Sequence, residues 1–242
     1  QWFASMRLNS VPQLPWPNFW AVENIQGRGV ARAWLDVQHG KPVGITADLA
    51  LPEVKTHWKG AQIEDFEVQQ LKGRIEAQWQ EKSWHIQASD FSFLHPDGTH
   101  WPASNWGMGA ISPHAQSTRT SVELDYADLS MAAKVMQSLP VPAQVQQSIE
   151  KWAPQGQVRQ FQMQWSSPTD YAGRGKVTQV MLQPQPAAQG VGVPGVQGLN
   201  GSFEFNAQGG NASLDMRAGA LHFPGVFEDP IIPLDALQAR LS

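Results

Sequence analysis

The stretch from Gly198 to Met216, GLNGSFEFNAQGGNASLDM, admits few folds. Leu199, Gly201, Phe203 and Phe205 share one parity, and Asn200, Ser202, Glu204 and Asn206 share the other. Side chains that alternate with period two point to opposite faces of a strand, so this is a half-buried strand. Gln208-Gly209-Gly210-Asn211 reads as the turn, because glycine takes positive φ without steric cost. The return strand sets Ala212, Leu214 and Met216 against Ser213, Asp215 and Arg217. The result is a β-hairpin with one apolar and one polar face. This alternation predicts that Phe203, Phe205, Leu214 and Met216 share the apolar face while Glu204, Ser213 and Asp215 face water.

Most of the chain repeats that unit. Prolines 12, 15 and 17 make residues 1–27 an irregular or edge segment. Ala31, Ala33, Leu35 and Val37 alternate with polar neighbours up to a turn at His39-Gly40-Lys41-Pro42. Val43, Ile45, Ala47, Leu49 and Leu51 return on one face, and Pro52 reads as the stop. Phe66 to Leu71 is a strand, and Lys72-Gly73 reads as a turn into Ile75, Ala77 and Trp79. Trp84, Ile86 and Ala88 follow, then the strong turn His95-Pro96-Asp97-Gly98. Trp106, Met108 and Ala110 make a short strand, and Val122, Leu124 and Tyr126 another. Leu129, Ala132, Ala133 and Met136 have helical spacing, with Asp128 or Ser130 as the cap. Leu139-Pro140-Val141-Pro142 divides this from a second helix through Val145, Ile149 and Trp152, giving a helical hairpin over roughly 130–139 and 142–152. Strands resume with Phe161, Met163 and Trp165, then Arg174 to Leu182, before a loop from Ala187 to Gly198. Turns at Phe223-Pro224-Gly225 and Asp229-Pro230 precede a last strand through Leu237, Ala239 and Leu241.

Composition narrows the function classes. The 242 residues carry a net charge of −4, so the basic footprint of a nucleic-acid binder is missing. Without cysteine there is neither a disulfide framework nor thiolate chemistry. No window offers the run of about 18 apolar residues that a membrane-spanning helix needs. Several motifs resemble chemistry. Gly190, Gly192 and Gly195 spell GxGxxG, but Pro194 interrupts it and a hairpin follows where the dinucleotide fingerprint needs a helix. His95, Asp97 and His100 surround a turn without the converging ligands that a metal needs. There is no GxSxG nucleophile elbow. The adjacent acids Glu64-Asp65 and Glu228-Asp229 would diverge on a strand rather than act as a pair. The reading is non-enzymatic, with no catalytic residue, no metal and no cofactor. Trp101 and Trp106, near Asn105 and Asp97, offer an aromatic platform for sugar, against which stands ordinary packing of both rings in the sheet.

About a dozen amphipathic strands leave a large apolar face to cover. Two helices of about ten residues reach only about 15 Å each. Three solutions follow: closure into a sandwich or barrel, packing on a partner, or a trough whose apolar lining holds something apolar such as acyl chains. The sandwich is the generic all-β answer, and in that form the alternative function is a carbohydrate-binding or adhesive domain using exposed tryptophan. Long apolar runs such as Val43 to Leu51 favour one wide curved sheet instead.

The helical hairpin with Leu139-Pro140-x-Pro142, the segment Trp152-Ala153-Pro154-Gln155-Gly156-Gln157-Val158, the run Val193-Pro194-Gly195-Val196-Gln197-Gly198-Leu199-Asn200-Gly201, and FPGVFEDPIIPLDAL from Phe223 to Leu237 together resemble the YhdP branch of the AsmA-like family of bacterial envelope proteins. The resemblance covers residues 129–242 and extends less specifically over 28–126. It implies a mainly antiparallel all-β fold, a long curved amphipathic sheet forming a groove, with this chain an internal segment of a larger protein. It implies a periplasmic protein held to the inner membrane by an anchor outside this chain, with phospholipid and neighbouring groove segments as partners and no nucleic acid. It implies non-enzymatic transfer of phospholipid between the two membranes. Applied to the alternating positions, that function makes Leu35, Val37, Val43, Ile45, Leu49, Ile75, Trp79, Trp84 and Ile86 the groove lining in the first set of strands. Val122, Leu124, Phe161, Met163, Trp165, Leu199, Phe203, Phe205, Leu214 and Met216 continue it.

Overall fold

The computed structural model describes residues 22–58, 66–114, 117–138, 143–187 and 190–242. Six strands come first: β1 (Val22–Gln38), β2 (Lys41–Trp58), β3 (Phe66–Gln80), β4 (Ser83–Leu94), β5 (His100–His114) and β6 (Ser117–Asp128). Two helices follow, α1 (Leu129–Gln137) and α2 (Ala143–Trp152). The remaining strands are β7 (Gln155–Ser167), β8 (Asp170–Leu182), β9 (Gly195–Asn206), β10 (Gly209–His222) and β11 (Ile231–Leu241). Among the described residues each strand pairs with the next in sequence, so eleven strands make a single open sheet with β1 and β11 at its edges. The fold is all-β, mainly antiparallel and groove-like. The strands form one sheet, whereas a sandwich has two. Val22 to Gly27 belong to the edge strand β1.

The turns explain the meander. His39 and Gly40 take φ of 51° and 77°, the left-handed pair that matches the twist of a tight hairpin. The β9–β10 turn lies on Ala207-Gln208, two residues before the Gly-Gly read from sequence, because Asn206 Oδ1 accepts the N–H groups of Gln208 at 2.8 Å and Gly209 at 3.2 Å. Phe203 therefore faces Ala212 and Leu199 faces Met216, and the parity of the hairpin survives because the turn is still two residues long. Pro52 does not end β2, which runs on to Trp58. Lys72-Gly73 is no turn either: Gly73 sits inside β3, where a Cβ would come within 2.9 Å of Phe91 Cα. Close backbone approach, not a chain reversal, is what this glycine serves. The strand around Trp106 is longer than its apolar run, and the glycine-rich loop ends at Gly195 rather than Gly198. Helix α1 starts where Asp128 Oδ1 accepts Met131 N–H at 2.9 Å, satisfying one of the free donors of the first turn.

Two compact units divide the chain: Gln1–Glu123 with Val135–Val141, and Leu124–Lys134 with Pro142–Ser242. In the first, Val54, Val68, Leu71, Ala77, Ile86, Ala88, Phe93 and Ala110 are buried. In the second, Ala127, Met131, Val180 and Met216 are.

Candidate functional site

Strand register turns the alternating residues into rows. In the first unit Leu35 pairs with Ile45, Ile45 with Ala77, Ala77 with Ile86 and Ile86 with Met108. The neighbouring row is Ala33, Ala47, Ile75, Ala88 and Trp106. Paired residues in an antiparallel sheet share a face, so one face of this unit is apolar from β1 to β5. Leu49 lies on that face through its pairing with Ala31 and Gly73. Toward the hairpin ends, Val37, Val43 and Trp79 line one hollow, and Trp79, Trp84 and Ala110 line the next. The face is graded: Ile86 is 6% exposed, whereas Leu35 on the edge strand is 59% exposed.

Strands this long should not keep one parity throughout, and they do not. Val68 and Leu71, Ala88 and Phe91, Val158 and Phe161, Val177 and Val180, and Val196 and Leu199 are apolar pairs three residues apart within one strand. Plain alternation would send such a pair to opposite faces. Between or beside them stand residues in the left-handed region: Gln70 (φ 51°), Asp90 (50°), Gln160 (51°), Gln179 (52°) and Gly198 (79°), with Ala218 (50°) doing the same in β10. Each is a β-bulge, where an extra residue resets the alternation. The ring contacts show the result in the first unit. Trp106 meets Phe91 at 5.8 Å, Phe91 meets Phe93 at 6.0 Å, and Phe93 stacks on Trp101 at 5.6 Å, all on one face across the bulge at Asp90. In the second unit the row Val180, Leu199, Met216 and Leu237 is followed beyond the bulges by Leu182, Val196, Leu221 and Ile232.

The same face of the second unit carries an aromatic and methionine cluster over a glycine floor. Phe203 and Phe205 stack at 6.0 Å, and Tyr171 approaches Phe205 at 6.1 Å. Gly173 and Gly175 on β8 are buried beneath them: a Cβ at Gly173 would lie 2.7 Å from the Phe205 ring and 2.9 Å from Met163 Sδ, and one at Gly175 would lie 2.9 Å from the Phe203 ring and 3.4 Å from Phe161. Trp165 pairs with Tyr171 and is 38% exposed. On β6, Val122 and Leu124 are half-buried between exposed Ser121, Glu123 and Asp125. Leu214 is half-buried, Met216 is 1% exposed, and Glu204 and Ser213 are exposed. Asp215 differs from the expectation of a water-facing residue. It is half-buried, its Oδ1 has no hydrogen-bond partner, and its Oδ2 is 3.9 Å from Arg217 Nε. It pairs with Asn200, whose side chain folds back over the bulges rather than out to solvent.

In the first unit an ion pair lies on the opposite face. Arg74 donates to both oxygens of Asp48, at 2.7 and 3.3 Å, and this hydrogen bonding holds the Asp48 carboxyl below its usual range. Arg159 lies 5.3 Å from the centre of the Tyr126 ring, while partial burial, and then the Asp128 charge, push the Tyr126 hydroxyl up.

The motifs that imitate chemistry are structural. Asp97 Oδ1 accepts Thr99 N–H at 2.9 Å and lies 2.9 Å from His95 Nδ1, closing the β4–β5 turn. Gly192 N–H donates to the Pro224 carbonyl at 3.0 Å and Gly195 opens a strand, so GxGxxG cradles another loop. Asp229 accepts Ile231 N–H, and Glu64-Asp65 lies outside the described residues. Trp101 donates to Ser104 Oγ at 2.7 Å, and Trp101 and Trp106, both half-buried, pack on Phe93 and Phe91, the ordinary sheet packing set against a sugar platform. Among the described residues no three His, Cys, Asp or Glu converge as a metal site, and no helix is long and apolar enough to cross a membrane.

The family model described as YhdP protein matches residues 4–242. No curated protein matches the chain, and no solved structure does.

Proposed function

The chain belongs to the YhdP protein family, a bacterial envelope branch of the AsmA-like group associated with lipid transport, and from that premise we propose that it binds phospholipid acyl chains and passes them along its apolar sheet face. The observation that supports this most is the persistence of one apolar face through every bulged strand of each unit. An ordinary core strand needs an apolar face only as long as the layer that covers it. Here the face runs the length of 11- to 18-residue strands and ends in exposed Leu35, Val37 and Trp165. Such a surface replaces water along an acyl chain, at about 0.8 kcal/mol per buried CH₂, and so lowers the barrier to moving lipid through an aqueous space. No bond is made or broken, and the reading is non-enzymatic. The working site is the periplasm, with an inner-membrane anchor and further groove segments supplied by the rest of the protein.

Native mass spectrometry after mild extraction tests it, with phospholipid retained on the chain as the expected result. Phe205→Asp sharpens the test. On a sealed core the buried carboxylate would threaten folding, by several kcal/mol or more. On an accessible face the carboxylate stays partly hydrated, so the fold survives and the lipid load falls. A folded Phe205→Asp protein with its full lipid load overturns the reading at this hairpin.

A further inference from the structure

Two of the bulges are held by the same device, one in each unit. Asp90 on β4 donates its N–H to Asn105 Oδ1 on β5 at 3.0 Å, and Gln179 on β8 donates its N–H to Asn200 Oδ1 on β9 at 2.9 Å. A bulged residue falls out of the strand ladder, so its N–H needs another acceptor. A residue with a Cβ also resists the left-handed region, which both occupy. The asparagine on the next strand answers both problems at one position only. Asn200 adds a second anchor, donating from Nδ2 to the Gly198 carbonyl at 3.3 Å, which ties the β8 bulge to the β9 bulge. The position matters because the bulge resets the alternation, so its loss shifts the register by one residue and turns every side chain on the far side of that strand to the other face. Slippage at Gln179 would take Val180 out of its row with Leu199.

We propose that Asn105 and Asn200 are positioning residues of the lipid-binding face: each pins a left-handed bulge on the preceding strand and so keeps the apolar track in phase on both sides of it. This rests on the acyl-chain reading above. The test uses the full chain with p-benzoylphenylalanine in place of Phe203, on the hairpin side of the bulge, or of Leu182, on β8 beyond it, and vesicles of labelled phosphatidylethanolamine. The parent cross-links lipid at both positions. Asn200→Ala keeps the Phe203 cross-link within about twofold and loses about fivefold or more at Leu182, because only the part of β8 beyond the bulge changes phase. Asn200→Asp keeps the acceptor oxygen and restores the far-side cross-link, which a general loss of stability would not allow. Amide exchange at Gln179 speeds up in the alanine variant and recovers in the aspartate variant. Unchanged cross-linking at Leu182 in Asn200→Ala overturns the proposal, and so does equal loss at both positions. A parent that cross-links at neither position defeats the lipid reading itself. Asn105→Ala, read at Ile86 and Phe93, repeats the experiment in the first unit, so a folding failure of one variant leaves the other to decide.

Discussion

Gly173 and Gly175 set how closely the rings of Phe203 and Phe205 lie on β8. A methyl at Gly173 meets the far ends of Phe205 and Met163, which can swing away, so Gly173→Ala should fold with a loss of about 1–3 kcal/mol from overpacking. Gly201→Ala is different in kind: its Cβ meets the Ser213 carbonyl on the paired strand, and backbone cannot step aside. Urea unfolding of the two variants should rank Gly201→Ala as the more damaging, and the opposite order would mean that the rings are less mobile than the ladder. Another residue-scale expectation concerns the polar face. Asp48 has a folded pKa below its unfolded value, chiefly through the Arg74 hydrogen bond. The pair therefore contributes at neutral pH, and that contribution is lost as pH falls through the folded pKa. Both groups are solvent-exposed, so the effect on stability is slight. Arg74→Gln should move the Asp48 titration upward in a carboxyl-detected NMR experiment, and an unmoved titration would show that the hydrogen bond is not kept in solution.

At the scale of elements, helix α1 offers the simplest case. Asp128→Ala leaves Met131 N–H without its acceptor and should cost about 0.5–2 kcal/mol, read as a lowered unfolding midpoint. That cap was legible in the sequence because Asp128 stands directly before the helical spacing. The hairpin parity was legible too, since a two-residue turn preserves it wherever it falls, and so the misplaced Gly209-Gly210 turn did no harm to the faces. The bulges were not read. Four of the left-handed residues are Gln70, Gln160, Gln179 and Ala218, types that carry no mark of positive φ, and Asp90 belongs to a type that only tolerates it. Where glycine did mark the place, at Gly73 and Gly198, it imitated a turn or a loop. A signal existed nonetheless: the recurrent apolar pair three residues apart, which by itself also suits a helix and gains its meaning only when the same offset recurs in strand after strand. Pro52 misled for a related reason, since a proline removes one ladder donor but does not stop a strand that passes it beside a bulge.

For the molecule as a whole the question is which force holds the ligand. The net charge is −4, and in the first unit Arg74 and Asp48 neutralise each other on the face opposite the apolar rows. If acyl chains are what the sheet recognises, affinity should follow chain length and ignore salt. A fully buried CH₂ contributes about 0.8 kcal/mol, and a chain lying on an open sheet is covered on one side, so about half of that applies. Each two-carbon extension should then add about 0.8 kcal/mol, a factor of about four in Kd. Raising salt from about 0.1 M to about 1 M shortens the Debye length from about 10 Å to about 3 Å, which would weaken head-group attraction severely yet should leave acyl binding within about twofold. Displacement of a fluorescent fatty acid by lysophospholipids of increasing chain length, at low and high salt, separates the two. A steep length dependence with flat salt dependence is expected. Affinity that falls with salt and hardly changes with chain length would transfer recognition to charged groups and end the acyl-chain reading.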